Sequence, residues 1–181
     1  MARKKERKIR KEEKIKLVSL FFRYFLAIIM GIFIIFFYTI FTPLTFFVLK
    51  SLGLFFEVYF YKNFIIYHST LIEIIPACVA GSAYYLLFLL NILTPNIKIK
   101  KRIFALFFAF TAFFLFNFFR LILLISLEFI GVKTYFYHKV LWYFGSTIAV
   151  FLIWILTIKI FKIKEIPFYS DFVWLAQKIK K

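Results

Sequence analysis

Two stretches of the chain are free of charged residues over a length that can cross a lipid bilayer. No Asp, Glu, Lys or Arg occurs within residues 24–49 or within residues 74–97, and about 20 apolar residues suffice for a membrane-spanning helix. The chain of 181 residues is 64% hydrophobic and 24% aromatic, which is more apolar surface than the core of a soluble domain of this size can enclose. The sequence therefore predicts an integral membrane protein with several spanning segments.

The positive charges lie between and beyond the apolar stretches. The net charge is +17, which in a soluble protein would suggest nucleic acid. Here Lys and Arg cluster in residues 1–16, 98–102 and 159–181, where they set the orientation of membrane helices. We therefore expect no nucleic-acid partner and place these three segments, with the N- and C-termini, in the cytoplasm. Four spans satisfy that condition, at about 17–41, 77–93, 103–126 and 138–158.

The segment after the first span is ambiguous. Pro43 is expected to end the first helix, and the apolar residues 44–73 are interrupted by Lys50, Glu57, Lys62, His68 and Glu73. They predict either a further span at about 44–60 or an interfacial, partly re-entrant segment, which the tyrosines in this stretch favour. The predicted fold is a single all-α membrane domain, a polytopic bundle of about four transmembrane helices plus this segment. Residues 1–16 form its basic head, 17–158 its core and 159–181 its basic tail.

Several classes of enzyme are excluded by residue counts. One cysteine cannot form an internal disulfide, and two histidines with one cysteine are too few for an ordinary zinc site. The His-Glu-x-x-His and Gly-x-Ser-x-Gly motifs do not occur. Asp171 is the only aspartate, so paired catalytic aspartates are impossible. We expect neither a metal nor another cofactor.

Cys78 lies at the start of the second predicted span, two residues after Pro76. Proline is favoured in the first turn of a helix, where the helix dipole and free N–H groups stabilise a thiolate. Gly81 follows on the same helix face and would leave room for a substrate backbone. The alternative is that Cys78 is a small apolar residue that fills space.

Arg120 is a charged residue inside the third predicted span. A charge at membrane depth costs about 2.5–3.5 kcal/mol on insertion scales, so it is usually functional or paired. In a functional role it would stabilise the thiolate or the oxyanion of a tetrahedral intermediate, and in a structural role it would pair with Glu73 or Glu128. Asn117, one turn earlier, would orient Arg120 or form a hydrogen bond between helices.

His138 lies at the start of the fourth predicted span. The topology derived from the charges puts it in the same outer layer of the membrane as Cys78 and Arg120. An imidazole there can accept a proton from the thiol and donate it to a leaving group. A histidine in this position is otherwise an ordinary interfacial residue.

The order Pro-Ala-Cys78-x-x-Gly81, Asn117-Phe-Phe-Arg120 and His138 at the head of the last span resembles the exosortase/archaeosortase family. The resemblance covers about residues 72–150. The short chain and its Lys-, Phe- and Ile-rich composition suggest the archaeal branch, with its compact form, called pacearchaeosortase, as a candidate within it. The resemblance implies a multi-pass membrane enzyme in which Cys78, Arg120 and His138 are the catalytic residues.

The resemblance also implies a substrate and a reaction. Enzymes of this family process exported proteins that end in a short motif, a hydrophobic helix and a basic cluster, and they are thought to be cysteine transpeptidases. We therefore expect cleavage on the outer face of the cell membrane and transfer to a lipid amine or to water. The alternative is a non-catalytic membrane scaffold or small-transporter subunit in which Arg120 forms a structural ion pair.

Two glycines depart from the family pattern. The family commonly has Cys-(Ser/Thr)-Gly, whereas this chain has Cys78-Val79-Ala80-Gly81. A glycine soon after the histidine is also common, whereas the nearest one here is Gly145. The roles of Gly81 and Gly145 are therefore open at the level of sequence.

Overall fold

Helices make up most of the structure, a computed structural model that describes residues 2–32, 34–53, 59–61, 64–67, 70–73 and 76–179. Within these residues the elements are α1 (Ala2–Ile32), α2 (Ile35–Gly53), β1 (Tyr59–Tyr61), β2 (Phe64–Tyr67), β3 (Thr70–Glu73), α3 (Pro76–Val79), α4 (Gly81–Ile92), α5 (Ile99–Phe129), α6 (Tyr135–Val140), α7 (Ser146–Ile160) and α8 (Tyr169–Ile179). A π-helical turn, Leu141–Gly145, joins α6 to α7. The predicted helical membrane bundle is confirmed.

Three helical segments are long and apolar enough to cross a membrane, namely Arg10–Ile32, Ile99–Phe129 and Tyr135–Ile160. Two shorter apolar helices, Ile35–Lys50 and Gly81–Ile92, accompany them. The outer surface of the bundle carries large apolar side chains, among them Phe25, Phe107 and Phe151, each of which is more than half exposed. Such a surface suits lipid rather than water, so the chain is a membrane protein.

Helices α1 and α2 pack one after the other along α4. The Tyr85 hydroxyl of α4 donates to the carbonyl of Ala27 in α1 at 2.9 Å, and Phe41 of α2 stacks on Tyr84 with ring centroids 3.6 Å apart. Further along α2, Leu49 packs against Cys78. Residues later in α1 and α2 therefore contact residues earlier in α4 and α3. The chain direction of α1 and α2 is thus antiparallel to that of α3 and α4.

The prediction that Pro43 ends the first helix was wrong. The interruption lies earlier, between α1 and α2, and Pro43 is inside α2. A transmembrane helix tolerates an internal proline because hydroxyl side chains and neighbouring helices can satisfy the backbone groups around it. Two threonines of α2 do bond to its backbone: Thr39 donates to the carbonyl of Ile35 at 3.0 Å and Thr45 to that of Phe41 at 2.7 Å.

The described part of residues 44–73 does not form a separate span at 44–60, because residues 44–53 are the second half of α2. Helix α2 ends at Gly53, and three short strands follow in an antiparallel sheet of order β1-β2-β3. Tyr59 pairs with Ile66, and Phe64 pairs with Glu73. Strand β3 contacts α5, so the sheet adjoins the main bundle. Residues 54–58 and the predicted interfacial His68 lie outside the described residues.

Aromatic side chains around α4 form the core of the bundle. Tyr84 is completely buried, and Phe110 and Phe113 of α5 contact its ring edge-to-face at 5.6 and 5.0 Å. Helix α4 also packs against α1, α2 and α7. It is therefore enclosed on several sides, which fits its position as the short central helix.

The basic segments of the chain meet at one end of the bundle. Arg102 donates to the carbonyls of Asn91, Ile92 and Thr94, the last two at 2.9 and 2.8 Å. It thereby satisfies backbone acceptors that the C-terminus of α4 leaves without helical partners. Lys101 of α5 also donates to the carbonyl of Lys162, beyond α7.

A buried ion pair fastens the C-terminal helix to the same end. Arg23 of α1 donates to Asp171 of α8 at 2.8 Å, and both side chains are 8% exposed. Arg23 also donates to the carbonyl of Leu93 at 2.9 Å. Lys178 of the tail also lies 3.7 Å from Glu13 of the head, and Lys101 binds Lys162, so the head, the 98–102 segment and the tail lie side by side. The Arg23–Asp171 pair was not predicted from the sequence.

Candidate functional site

The structure brings together the cysteine, the histidine and the arginine that the sequence singled out. Cys78 Sγ lies 3.5 Å from His138 Nε2, although the two residues are 60 positions apart. Arg120 donates from Nη2 to the carbonyl oxygen of Cys78 at 3.0 Å. Asn117 donates to the same carbonyl at 2.9 Å. Helices α3, α5 and α6 therefore contribute to one cluster.

Most of this cluster is shielded from the surface. Cys78 is 6% exposed, Arg120 4% and Asn117 1%, whereas His138 is half-buried. Leu49 and Leu121 pack with Cys78 in a small apolar cluster. The thiol therefore sits in apolar packing on one side and against the imidazole on the other.

Arg120 is held by neutral acceptors in the described part of the chain. Its Nη1 donates to Ser146 Oγ at 2.7 Å, and neither ion pair formed there involves it. Glu128, one proposed partner, instead accepts from the backbone N–H and the hydroxyl of Thr134. The backbone of Glu73, the other proposed partner, is described, but its side chain is not. Arg120 contacts Cys78 through its main-chain carbonyl, and the predicted role toward the thiolate or an oxyanion stays a prediction.

The backbone turns sharply just after Cys78. Helix α3 is a single turn that ends at Val79, and Ala80 adopts a left-handed conformation with φ 55° and ψ 46°. The long helix α4 begins only at Gly81. The expectation that Cys78 occupies a first helical turn is met, but that turn is not continuous with α4. The dipole of a long helix, expected to stabilise the thiolate, therefore does not act on Cys78, because dipoles sum only along aligned peptides.

Gly81 has a packing role that differs from the predicted one. A Cβ atom at Gly81 would lie 2.8 Å from Cε1 of Tyr38 in α2. The space beside Gly81 is therefore filled by a side chain of this protein and is not open to a substrate backbone. Gly145 has ordinary helical angles, so no special backbone conformation requires glycine there.

Ser146 completes the cluster and was missed in the sequence. Its hydroxyl accepts from Arg120 and donates to the carbonyl of Leu141 at 3.3 Å. His138 and Ser146 are eight residues apart, which in a regular helix would put them about 80° apart around the axis. The π-turn between them accommodates one extra residue. His138 and Ser146 are therefore related as two residues seven positions apart in a regular helix would be, and they lie on the same helix face. Only knowledge of that turn could have identified Ser146.

Two polar atoms in the cluster remain without protein partners among the described residues. These are Nε of Arg120 and Oδ1 of Asn117, both buried. A buried donor or acceptor left unpaired is destabilising by about 1–3 kcal/mol. In native proteins such an atom is usually explained by an ordered water, an ion or a catalytic role, and Tyr84, Asn91 and Asp171 each carry one as well.

Comparison with known proteins finds no family model, curated protein or solved structure that matches this chain. The chemical capacity of the site therefore follows from its own geometry. A thiol beside an imidazole is a nucleophile with a base. A buried guanidinium that binds the main chain of the same residue adds positive charge to the cluster, and positive charge is the kind of group that stabilises an oxyanion.

Proposed function

We propose that this protein is a membrane-embedded cysteine peptidase or transpeptidase that cleaves the C-terminal sorting signals of exported proteins. It would act like the exosortase/archaeosortase enzymes that its motifs resemble. The observation that carries the proposal is the 3.5 Å approach of Cys78 Sγ to His138 Nε2, with Arg120 bound to the Cys78 backbone. Cys78, His138 and Arg120 come from separate helices and meet in one place within a membrane bundle, where ionisable residues such as Arg and His are costly and usually functional.

The reaction has two steps. His138 accepts the thiol proton, and the Cys78 thiolate attacks the carbonyl carbon of the scissile peptide. The charge of Arg120 stabilises the resulting oxyanion, the C–N bond breaks, and His138 gives its proton to the leaving amine. A thioester then joins the substrate to Cys78. An amine acceptor or water attacks this thioester, its proton passes through His138, and the C–S bond breaks to restore the thiol.

We further propose that the site faces the outside of the cell. Arg102, at the basic end, and Arg120 are separated along α5 by about 27 Å at 1.5 Å per residue, close to the hydrocarbon thickness of about 30 Å. The basic end is expected in the cytoplasm because Lys and Arg are retained there. Cysteine variants in a Cys78→Ala background test this orientation. Lys133→Cys should react with a membrane-impermeant maleimide from outside, and Lys162→Cys only after permeabilisation; the reverse pattern would contradict it.

The backbone at Ala80 supports the family resemblance. The pattern Cys-(Ser/Thr)-Gly has its glycine at the place that Ala80 occupies here. Glycine adopts left-handed angles without steric strain, and Ala80 has such angles. The glycine of the family pattern therefore corresponds to Ala80 in this chain. Gly81 is instead required by the close packing of Tyr38.

Cys78→Ala is the decisive test of the activity. Membranes of the host expressing either form are compared by mass spectrometry of protein C-termini. We expect substrates to keep their C-terminal hydrophobic helices in the variant, while the variant itself inserts normally. Thr111→Ala, an exposed position on α5, serves as the matched control and should process normally. If membranes with Cys78→Ala contain the same processed C-termini as membranes with the unmodified protein, the proposal is refuted.

The alternative, a non-catalytic scaffold or small-transporter subunit, gives the thiol and the imidazole no chemical role. It relied on a structural ion pair of Arg120, and in the described part of the chain Arg120 binds Ser146 and a backbone carbonyl instead. This alternative predicts that the C-termini of all membrane proteins are the same with Cys78→Ala as with the unmodified protein. The same experiment therefore separates the two functions.

A further inference from the structure

A groove runs along the bundle between α4 and α7, beginning beside the candidate site. Its volume is about 230 Å³, and its lining is Ala80, Ser82, Ala83, Leu86, Trp142, Tyr143, Ser146, Thr147 and Val150. Ala80 is two residues from Cys78, and Ser146 bonds to Arg120. From Ala80 to Leu86 the groove extends about 9 Å along α4, away from Cys78 and toward the middle of the bundle.

The groove differs in chemistry from the rest of the outer surface. Many exposed positions elsewhere carry bulky apolar side chains, such as Phe104, Phe107 and Phe119 on α5. Leu86, Trp142 and Tyr143 also line the groove. Beside them it has exposed hydroxyl residues, Ser82 and Thr147, and the small residues Ala80, Ala83 and Ser146. Small residues and hydroxyls are characteristic of contacts between transmembrane helices, because they let two backbones approach closely.

We propose that this groove binds a transmembrane helix, the hydrophobic C-terminal segment of the protein being processed. This inference rests on the proposed function. A helix lying in the groove would have its outer end beside Ala80, so the residue just beyond the helix would reach Cys78. The position of the bound helix in the groove thus determines which peptide bond reaches Cys78 and is cut.

A helix fits this surface better than a lipid acyl chain does. An acyl chain gains from bulky apolar walls, which the phenylalanine-rich faces of α1 and α5 provide. It gains nothing from the exposed hydroxyl of Ser82, since it has no donor or acceptor. A helix with alanine or glycine on one face can approach the small residues closely and can offer backbone carbonyls to that hydroxyl.

Photo-crosslinking tests the groove directly. The photoreactive residue benzoylphenylalanine replaces Thr147 in the groove or, as a matched control, Ile148. Ile148 is the next residue and is also exposed, but it does not line the groove. The probe is a tagged synthetic apolar helix of about 20 residues, long enough to span the bilayer, with alanine and glycine along one face. A second probe has leucine on all faces.

We expect the probe with the small-residue face to crosslink several-fold more at position 147 than at 148, and the all-leucine probe to lose this preference. Ser82→Trp should fill the groove, abolish the crosslink at 147 and block substrate processing, while Phe107→Trp should change neither. Retained shielding of Cys78 from a thiol reagent would show that Ser82→Trp still folds.

Three results would overturn the inference: equal crosslinking at both positions, crosslinks to lipid alone, or crosslinks between two copies of this chain. Any of these could occur while Cys78→Ala still abolishes processing. In that case the peptidase function stands and the substrate helix binds elsewhere. Normal processing by Cys78→Ala would instead remove the function on which the groove inference rests.

Discussion

The left-handed turn at Ala80 yields a quantitative prediction for the substitution Ala80→Gly. A left-handed conformation is unfavourable by about 1–2 kcal/mol for a residue with a Cβ atom, and glycine escapes this penalty. Glycine also loses a buried methyl group and gains freedom in the unfolded chain, both of which are destabilising. A control substitution is needed that has these two destabilising effects but no left-handed conformation to relieve.

Ala83→Gly is that control. Ala83 is three residues further on, within α4, and like Ala80 it is buried, but its backbone is helical. The loss of a methyl group and the added chain entropy are similar at the two sites and cancel in the comparison. The difference in unfolding free energy should therefore equal the left-handed penalty, about 1–2 kcal/mol. Ala80→Gly should be the more stable of the two, by about 2–8 °C in Tm for a chain of this size.

The single cysteine supplies the assay. Cys78 is 6% exposed, so a fluorogenic maleimide reacts with it mainly after unfolding, and fluorescence during a temperature ramp in detergent reports Tm. Equal losses of Tm in Ala80→Gly and Ala83→Gly would refute the argument, because they would show that the backbone at position 80 is not left-handed.

Two further predictions concern the polar clusters at the two ends of the bundle. Ser146→Ala removes the acceptor of Arg120 Nη1 and should lower processing at least tenfold, whereas Ser146→Thr keeps the hydroxyl and should restore most of it; equal activity of all three forms would show that the hydrogen bond is irrelevant. Arg23→Leu leaves Asp171 buried without its partner and should lower the unfolding free energy by about 3–5 kcal/mol. The double variant Arg23→Leu/Asp171→Leu should recover much of this loss in the same maleimide assay, and a double variant no more stable than the single one would exclude the ion pair as the cause.

Much of the candidate site could be predicted because charged residues are costly inside a membrane, so their positions indicate topology and functional sites. Arg120 was identified by its depth in an apolar helix, and His138 and Cys78 by their positions at the predicted ends of spans. The structure brings all three together. The bulk fold was predictable for the same reason, since apolar length and basic clusters leave few arrangements of helices.

The details that position the site followed from features with no clear signal in the sequence. A π-turn depends on how α6 and α7 pack, so the alignment of His138 with Ser146 was hidden. The left-handed Ala80 was hidden because alanine normally favours a helix. The tolerance of Pro43 in α2 likewise depends on the surrounding bundle, which a local rule for proline does not include.

The turn after Cys78 explains why Asn117 and Arg120 belong to the site. The last carbonyls of a helix have no partner within that helix, and α3 is so short that the carbonyl of Cys78 is one of its last. Asn117 and Arg120 both donate to this carbonyl, so α5 holds the turn in place from the side. The backbone of Cys78 is thereby fixed from one direction while its sulfur points to His138 from another. Arg120 thus serves two purposes. It helps to close the turn that carries the Cys78 thiol, and under the proposed function it would supply positive charge next to the residue whose sulfur reacts.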